Sequence, residues 1–331
     1  MNKKISYMLS ILLAGTLFTS CKNGDAEFDD YEGGTSVYFA YQYPVRTIVL
    51  GDDEYDLTLD HAHKCKILAT FGGSREGSDG SVVVEVDPNL VNNLTFEDGT
   101  PVKLMPTEYY DLVTPNIWSF NGTFNAGTEV VLTDAFFSDP KSVKNTYVIP
   151  LVIKDQTGFN RILSGTPIEG STQVRTDASQ WEVQPMDFVL YCVKYQNKYS
   201  GWWLTHGTTS IDDIEKAGTV QIETVSLNES TMSAQFQDAA GESYVVPMLL
   251  TFDESGRCQI TSYYGSGAVV TGSGTWTDNG AKNSWNNKDR DLLELNYTIT
   301  LPNGFVYNKS EKLVWQRSGV VLEEFAPVYN L

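Results

Sequence analysis

From Ser36 to Arg317, apolar and polar residues alternate with a period of two, in short runs rich in Val, Ile, Thr, Tyr and Phe. Successive side chains of an extended chain point to opposite faces, so this period predicts half-buried β-strands. The first half offers such runs at 36–39, 46–50, 57–71, 81–86, 129–132 and 147–153. The second half opens with 187–195 and 197–203, then continues through 219–225, 231–236, 243–252, 257–264, 268–277, 291–301 and 312–317. Gly72-Gly73, Asp79-Gly80, Asp98-Gly99 and Asn121-Gly122 punctuate the first half with turns. No long amphipathic helix is predicted. Short helical turns are expected at 88–93, 133–137 and 212–217. Many short strands at this spacing predict an all-β chain built as a sandwich or a barrel.

Between Gly165 and Ser179 the pattern lapses into a polar stretch with Gly, Pro and Ser and no clear period. With the chain length, this predicts two domains. The first domain is placed at 36–168, a linker at 169–186 and a β-barrel at 187–331. About eight strands joined by short turns suit an up-and-down barrel, whose closure removes unpaired edges.

Residues 1–20 read as a secretory signal. Lys3 and Lys4 form a basic head, Tyr7 to Phe18 an apolar run, and Thr19-Ser20 stand before Cys21. That run is shorter than the roughly 20 residues a transmembrane helix needs. The block resembles the lipobox of bacterial lipoproteins, which implies lipidation at Cys21, although Phe18 stands where that pattern prefers Leu. The competing reading is a plain signal peptide with an incidental cysteine. Residues 21–35 are then a lipidated, polar and acidic tether. The acidic stretch behind Cys21 also resembles the surface-export signal of Bacteroidetes lipoproteins, which implies an outer-membrane lipid anchor and a protein exposed at the cell surface.

Charge narrows the partners. The chain has 23 Lys and Arg against 42 Asp and Glu. Loss of Lys3 and Lys4 with the signal leaves 21 basic residues and a net charge of −21. Such a field repels phosphate backbones, so no nucleic-acid partner is expected, and a neutral ligand or a divalent cation fits better. Cys65, Cys192 and Cys258 are an odd number without CxxC spacing, so buried thiols are predicted rather than disulfides or a zinc site. No metal and no cofactor are expected. His61 and His63 would share a strand face but lack a visible third ligand. Asp52-Asp53-Glu54 lacks the spacing of a calcium loop and is predicted to be a solvated turn.

The first domain resembles the N-terminal immunoglobulin-like β-sandwich, a domain of unknown function, of a set of Bacteroidetes surface lipoproteins. The matching stretches are Tyr43-Pro44-Val45-Arg46, Ala69-Thr70-Phe71-Gly72-Gly73, Leu104-Met105-Pro106 and Tyr147-Val148-Ile149-Pro150-Leu151. The second domain is similar to the lipocalin-like (calycin) barrel often paired with it, through Trp181-Glu182-Val183-Gln184-Pro185, Lys194-Tyr195-Gln196-Asn197, Tyr199-Ser200-Gly201 and Glu323-Glu324-Phe325. The resemblance implies association with a starch-utilisation-type outer-membrane transporter complex whose accessory lipoproteins capture glycans. It also implies that Trp202, in Gly201-Trp202-Trp203, plugs the closed end of the barrel with Arg317 stacked on it.

Glycan capture needs flat aromatic faces for sugar C–H groups, with amides and carboxylates alongside for the hydroxyls. Trp285 is the leading candidate, in a polar loop with Asn283, Asn286, Asn287 and Asp289 around it. The competing reading folds this Trp over the barrel mouth. Tyr263 and Tyr264 come second, one ring pointing in and one out if both lie on a strand. Trp118 is assigned to the sandwich core or a domain interface. No nucleophile elbow, phosphate loop or His–Glu metal motif is present, and no two carboxylates can be paired for glycoside hydrolysis. The expectation is a non-catalytic surface lipoprotein that binds an oligo- or polysaccharide. The alternatives are an adhesive protein contacting another membrane protein and, further off, a glycan hydrolase.

Overall fold

The computed structural model describes residues 30–209, 216–238 and 240–330. The signal segment, Cys21, most of the tether and most of the turn expected at 212–217 lie outside them. Among the described residues no helix is long and apolar enough to cross a membrane.

The chain is all-β, as its period implies. Two sheets form the first domain. One runs Arg161–Ile162, Ser36–Tyr38, Lys64–Gly72, Asn125–Leu132, Tyr110–Leu112. The other runs Glu323–Glu324, Pro44–Val49, Phe188–Gln196, Tyr147–Thr157, Ser81–Val86, Ile117–Ser119. Val37, Ile67, Val84, Trp118, Ile149 and Val193 fill the space between them, so Trp118 belongs to the core, its indole N–H donating to the Thr114 carbonyl at 2.8 Å. The second sheet is covered on its far face too, where Val45, Val148, Val152 and Leu190 pack under Leu90, Phe96 and Phe325. A strand covered on both faces needs apolar residues at every position. Tyr147 to Ile153 is such an unbroken run, and each of those residues is buried.

Three expectations shift. The strand Phe188–Gln196 does not open the barrel. It lies in the middle of the second sandwich sheet, antiparallel to Tyr147–Thr157 and parallel to Pro44–Val49. The barrel therefore begins at Gly201, not at 187. A period of two marks a strand without naming its sheet, but Phe188, Val189, Leu190, Cys192 and Val193 are all buried, as suits a two-sided core. Residues 169–186 are likewise an ordered excursion of the sandwich. Thr166–Pro167 pairs with Trp181–Val183, and Arg175 grips buried Asp187 through two nitrogens, each 3.0 Å from a carboxylate oxygen. Finally, the run 57–71 is broken by a helical turn, Thr58–His61, before the strand Lys64–Gly72. The turn brings fully buried Asp60 under Arg46 and the Val49 N–H, partners an isolated charge would lack on a strand face. The turns expected near 88 and 133 occur as Pro88–Val91 and Asp134–Ser138.

The second domain is a closed eight-stranded barrel: Gly201–Thr209, Lys216–Thr224, Glu229–Gln237, Ser243–Phe252, Arg257–Ser262, Val269–Ala281, Arg290–Thr300 and Val306–Arg317. Its sandwich-facing half is packed by Trp203, Ile222, Leu250, Leu293, Leu313 and Trp315. Gly201, at φ +131°, admits the chain, since a Cβ there would stand 2.6 Å from the Arg317 carbonyl oxygen. After Arg317 the chain leaves the barrel and returns to the sandwich. Glu323–Glu324 joins the second sheet, Phe325 packs on Tyr43 and Phe96, and Val328–Tyr329 pairs with Leu94–Thr95. The expected barrel segment 187–331 is therefore flanked at both ends by pieces of the first domain.

Candidate functional site

Chain direction sets which loops share an end of the barrel. The turns at 225–228 and 253–256 and the loop 282–289 face the sandwich, while 263–268 and 301–305 lie at the far end. Trp285 and the pair Tyr263 and Tyr264 are thus at opposite ends and do not form one site. Both tyrosines follow the strand Arg257–Ser262 rather than sitting on it, with Tyr264 96 % exposed at a turn and Tyr263 half-buried.

Trp285 opens a tight turn, Trp285–Asn287, whose Asn286 is left-handed at φ 59°, and is 44 % exposed. It lines a cleft of about 610 Å³ between the domains. Asp53, Glu54 and Tyr55 come from the sandwich, Asn286 from the Trp285 loop, and Gln316 to Val321 from the strand leaving the barrel. Tyr55 is 76 % exposed, so two aromatic rings from different domains border one opening. Asn283, Asn287 and Asp289 are not hydrogen-bonding groups of this cleft. Asn283 and Asn287 take left-handed backbone conformations, at φ 44° and 55°, which Asn tolerates better than most residues. Asp289 accepts from the Asn283 N–H at 3.0 Å and from Lys282 at 2.9 Å, which hold its carboxyl below the usual range and pin the loop base. These three shape the loop, and Asn286 supplies the amide.

The acidic turn is not a free solvated one either. Glu54 meets Arg290 at 2.9 Å and Lys288 at 3.3 Å, and those hydrogen bonds, Arg290 first, hold its carboxyl below the usual range. Asp53 accepts from the Ser318 hydroxyl. Behind them Asp291, 4 % exposed, is pushed up to about 6 by burial, against the hydrogen bond from the Asn279 N–H, with the Asp52 and Asp278 carboxylates pushing the same way. In the folded chain this carboxyl keeps its proton to about 6; unfolded, it loses it near 3.8. Its contribution to stability is full below the lower value and is lost as pH rises through the higher one. Asp291→Asn is therefore expected to raise the melting temperature by about 5 °C at pH 7.5 and to leave it unchanged at pH 4. Equal gains at both pH values in a thermal melt would discount this account.

The plug is displaced by one residue. Arg317 does lie over the Trp202 ring, 5.7 Å from its centroid, but Trp202 is on the outward face of its strand, with its ring against Gly319. Trp203 is the ring that turns in, fully buried, its indole N–H 3.1 Å from the Tyr199 carbonyl. A second ring, Trp315, packs nearby with the Arg290 guanidinium 5.3 Å from its centroid. A one-position difference on a strand exchanges inside for outside, and the register slips between Trp202 and Trp203.

The remaining candidates are packing groups. His61 Nε2 bonds the Gly51 carbonyl at 2.8 Å, whereas the His63 ring lies 4.3 Å from that of Phe137, so the two do not share a face. Among the described residues no three His, Cys, Asp or Glu side chains are grouped to hold a metal ion. Cys65, Cys192 and Cys258 are free and buried, and burial pushes their thiols up to about 12. Tyr55 and Arg290 are the residues the sequence reading missed. The signal for Tyr55 was available: an aromatic inside Asp-Asp-Glu-Tyr-Asp has no more strand pattern to bury it than Trp285 has.

Fold and cleft define a two-domain all-β protein with two exposed aromatic rings, Tyr55 and Trp285, bordering one cleft at the domain junction. The family model for a domain of unknown function, DUF5627, matches residues 198–319, and a model described as that of an N-terminal domain matches 30–160. A crystal structure of a protein of unknown function from Bacteroides ovatus is similar at 35 % identity and a TM-score of 0.79, covering 91 % of this chain and 100 % of that one. The chain belongs to the family of that protein, and the matches fit a Bacteroidetes protein. A structure of EF1p2_mFAP2b bound to DFHBI covers 35 % of this chain and 93 % of that one, at 15 % identity and a TM-score of 0.26. A redesigned β-barrel covers 36 % and 91 %, at 17 % identity and 0.24. These two carry no argument about function. No curated protein matches.

Proposed function

We propose that this is a non-catalytic, lipid-anchored surface protein that binds a carbohydrate in the cleft between its domains, as an accessory to an outer-membrane glycan uptake system. The observation that carries the reading is the placement of Trp285 and Tyr55, both open to solvent, on one cleft with the Asn286 and Gln316 amides and the Arg317 guanidinium. Sugar rings stack on aromatic faces, and amides both donate to and accept from hydroxyls. Glu54 is poorly suited to be the general acid of a hydrolase at this place. A general acid needs a raised pKa, whereas Arg290 and Lys288 hold Glu54 ionised. The basic head, apolar run and Cys21 support export and lipidation.

A glycan array with the chain from about Phe28 onward identifies the ligand. Trp285→Ala is then expected to weaken binding about 30-fold, the loss of about 2 kcal/mol typical of a central aromatic contact. Tyr55→Ala should act in the same direction. Wild-type affinity in both variants removes the cleft from the site. A silent array, with a membrane protein co-purifying stably, favours the adhesive alternative. Labelled palmitate should enter the full-length chain and not its Cys21→Ala variant.

A further inference from the structure

The barrel wall is unevenly zipped. Pairing of Gly201–Thr209 with Lys216–Thr224 runs on to Gly207 opposite Lys216, and Glu229–Gln237 pairs with Ser243–Phe252 as far as Gln237 opposite Ser243. Between those two ladders, pairing of Lys216–Thr224 with Glu229–Gln237 stops at Ile222 opposite Met232. Beyond that point two strand edges face each other without a ladder. The wall there holds a cavity of about 450 Å³, with Thr219, Gln221, Ser233 and Gln235 among its lining.

Inside this slit lies a charged group in a barrel core. Glu311 is 4 % exposed. It accepts from the Tyr297 hydroxyl at 2.9 Å and from the Thr205 hydroxyl, and it pairs with Lys309 at 2.7 Å. Apolar side chains would fill such a place with equal or greater stability, so a buried ion pair is weak as a purely structural device. Both Glu311 oxygens are taken by protein donors. Lys309 carries three donors, and it borders not only this cavity but an adjoining one of about 600 Å³.

The second cavity has an aromatic wall. Phe236 and Tyr307 stack with centroids 4.1 Å apart and planes 7° from parallel, and Tyr244 lies 5.6 Å from Phe236. Opposite Thr205 in register stands Gly218, which also lines this cavity. A Cβ on Gly218 would meet only the Thr205 methyl, at 3.8 Å. The missing side chain therefore leaves space that a longer residue would occupy.

We infer that the barrel carries a second binding site, reached through its wall, for a small ligand with a flat aromatic body and an anionic head. The body lies against Phe236 and Tyr307, and the head meets Lys309. This site is separate from the interdomain cleft and does not depend on the carbohydrate reading.

The test is a fluorescence titration of the chain from about Phe28 onward with 8-anilinonaphthalene-1-sulfonate, an aromatic sulfonate. A saturable rise in emission is expected. Gly218→Leu fills the cavity but keeps the ion pair, and it should abolish the saturable signal while leaving the circular dichroism spectrum unchanged. Lys309→Met should weaken binding at least 10-fold, in line with the loss of a charge-assisted hydrogen bond. If that variant unfolds because Glu311 is stranded, Gly218→Leu still decides the location. N-phenyl-1-naphthylamine, the same body without the sulfonate, should bind at least 10-fold more weakly. A saturable signal that survives Gly218→Leu, or no saturable signal in the wild type, overturns the site. Equal binding of the two probes overturns the anionic head.

Discussion

A fragment of the chain ending at Met186 is expected to show no cooperative melt and a largely disordered circular dichroism spectrum. It would lack the strand Phe188–Gln196, which sits between Tyr147–Thr157 and Pro44–Val49 and gives each a hydrogen-bonded neighbour. Phe188, Val189, Leu190, Val193 and Tyr195 are all buried, some in the core between the sheets and some on the second sheet's far face. At about 2 kcal/mol for each such side chain, the loss is on the order of 10 kcal/mol. That is comparable to the entire stability of an ordinary domain. A fragment ending at Ser200 keeps the strand and is expected to melt cooperatively, at a lower temperature than the whole chain because the returning segment around Phe325 is also gone. A cooperative transition in the shorter fragment would refute the assignment of Phe188–Gln196 to the sandwich.

Asn197→Ala should have the largest effect of any single substitution at the junction. Asn197 is buried between the last sandwich strand and the first barrel strand. Its side-chain NH₂ donates to the Ser226 carbonyl at 2.7 Å and the Glu229 carbonyl at 2.9 Å, with the Ser230 hydroxyl oxygen 3.0 Å away. Its side-chain oxygen accepts from the Tyr199 N–H at 3.1 Å and the Ser200 hydroxyl at 2.8 Å. One amide thus satisfies backbone groups of two chain segments that water cannot easily reach. Alanine would strand several of them at about 1–3 kcal/mol each, for a total of about 4 kcal/mol. Thermal melts should show the barrel transition lowered by about 10 °C. Asn197→Asp keeps the acceptor, removes the donors and adds a buried charge, so it should do no better. A loss below about 1 kcal/mol by urea titration would mean that the neighbouring backbone finds other partners.

The cleft was only partly legible in advance. Trp285 drew attention because a large ring in a polar loop has nothing nearby in sequence to bury it, and it is indeed open to solvent. Its partners could not be read in the same way. Asn283, Asn287 and Asp289 lie beside Trp285 in sequence, yet they serve the loop backbone. Tyr55 and Glu54 lie more than two hundred residues away and reach the same loop from the other domain. Likewise Trp202 and Trp203 are equivalent by composition, and only the strand register decides which ring faces in.

The alternation of apolar and polar residues by itself determined that the chain is all-β, roughly where its strands run, that the cysteines are buried, and that about eight strands suited to a barrel make up the second half. These are local consequences of side-chain geometry, since each residue of a strand must face either a core or something else. That a sandwich precedes those strands was what the family resemblance implied. Which strand pairs with which is not local. Only the packed structure decided that Phe188–Gln196 closes the sandwich, that Glu323–Glu324 returns to it, and that Trp285 and Tyr55 border one opening. Hydrogen-bonded partners and shared cores are chosen by the free energy of the whole assembly, to which a two-residue period is blind.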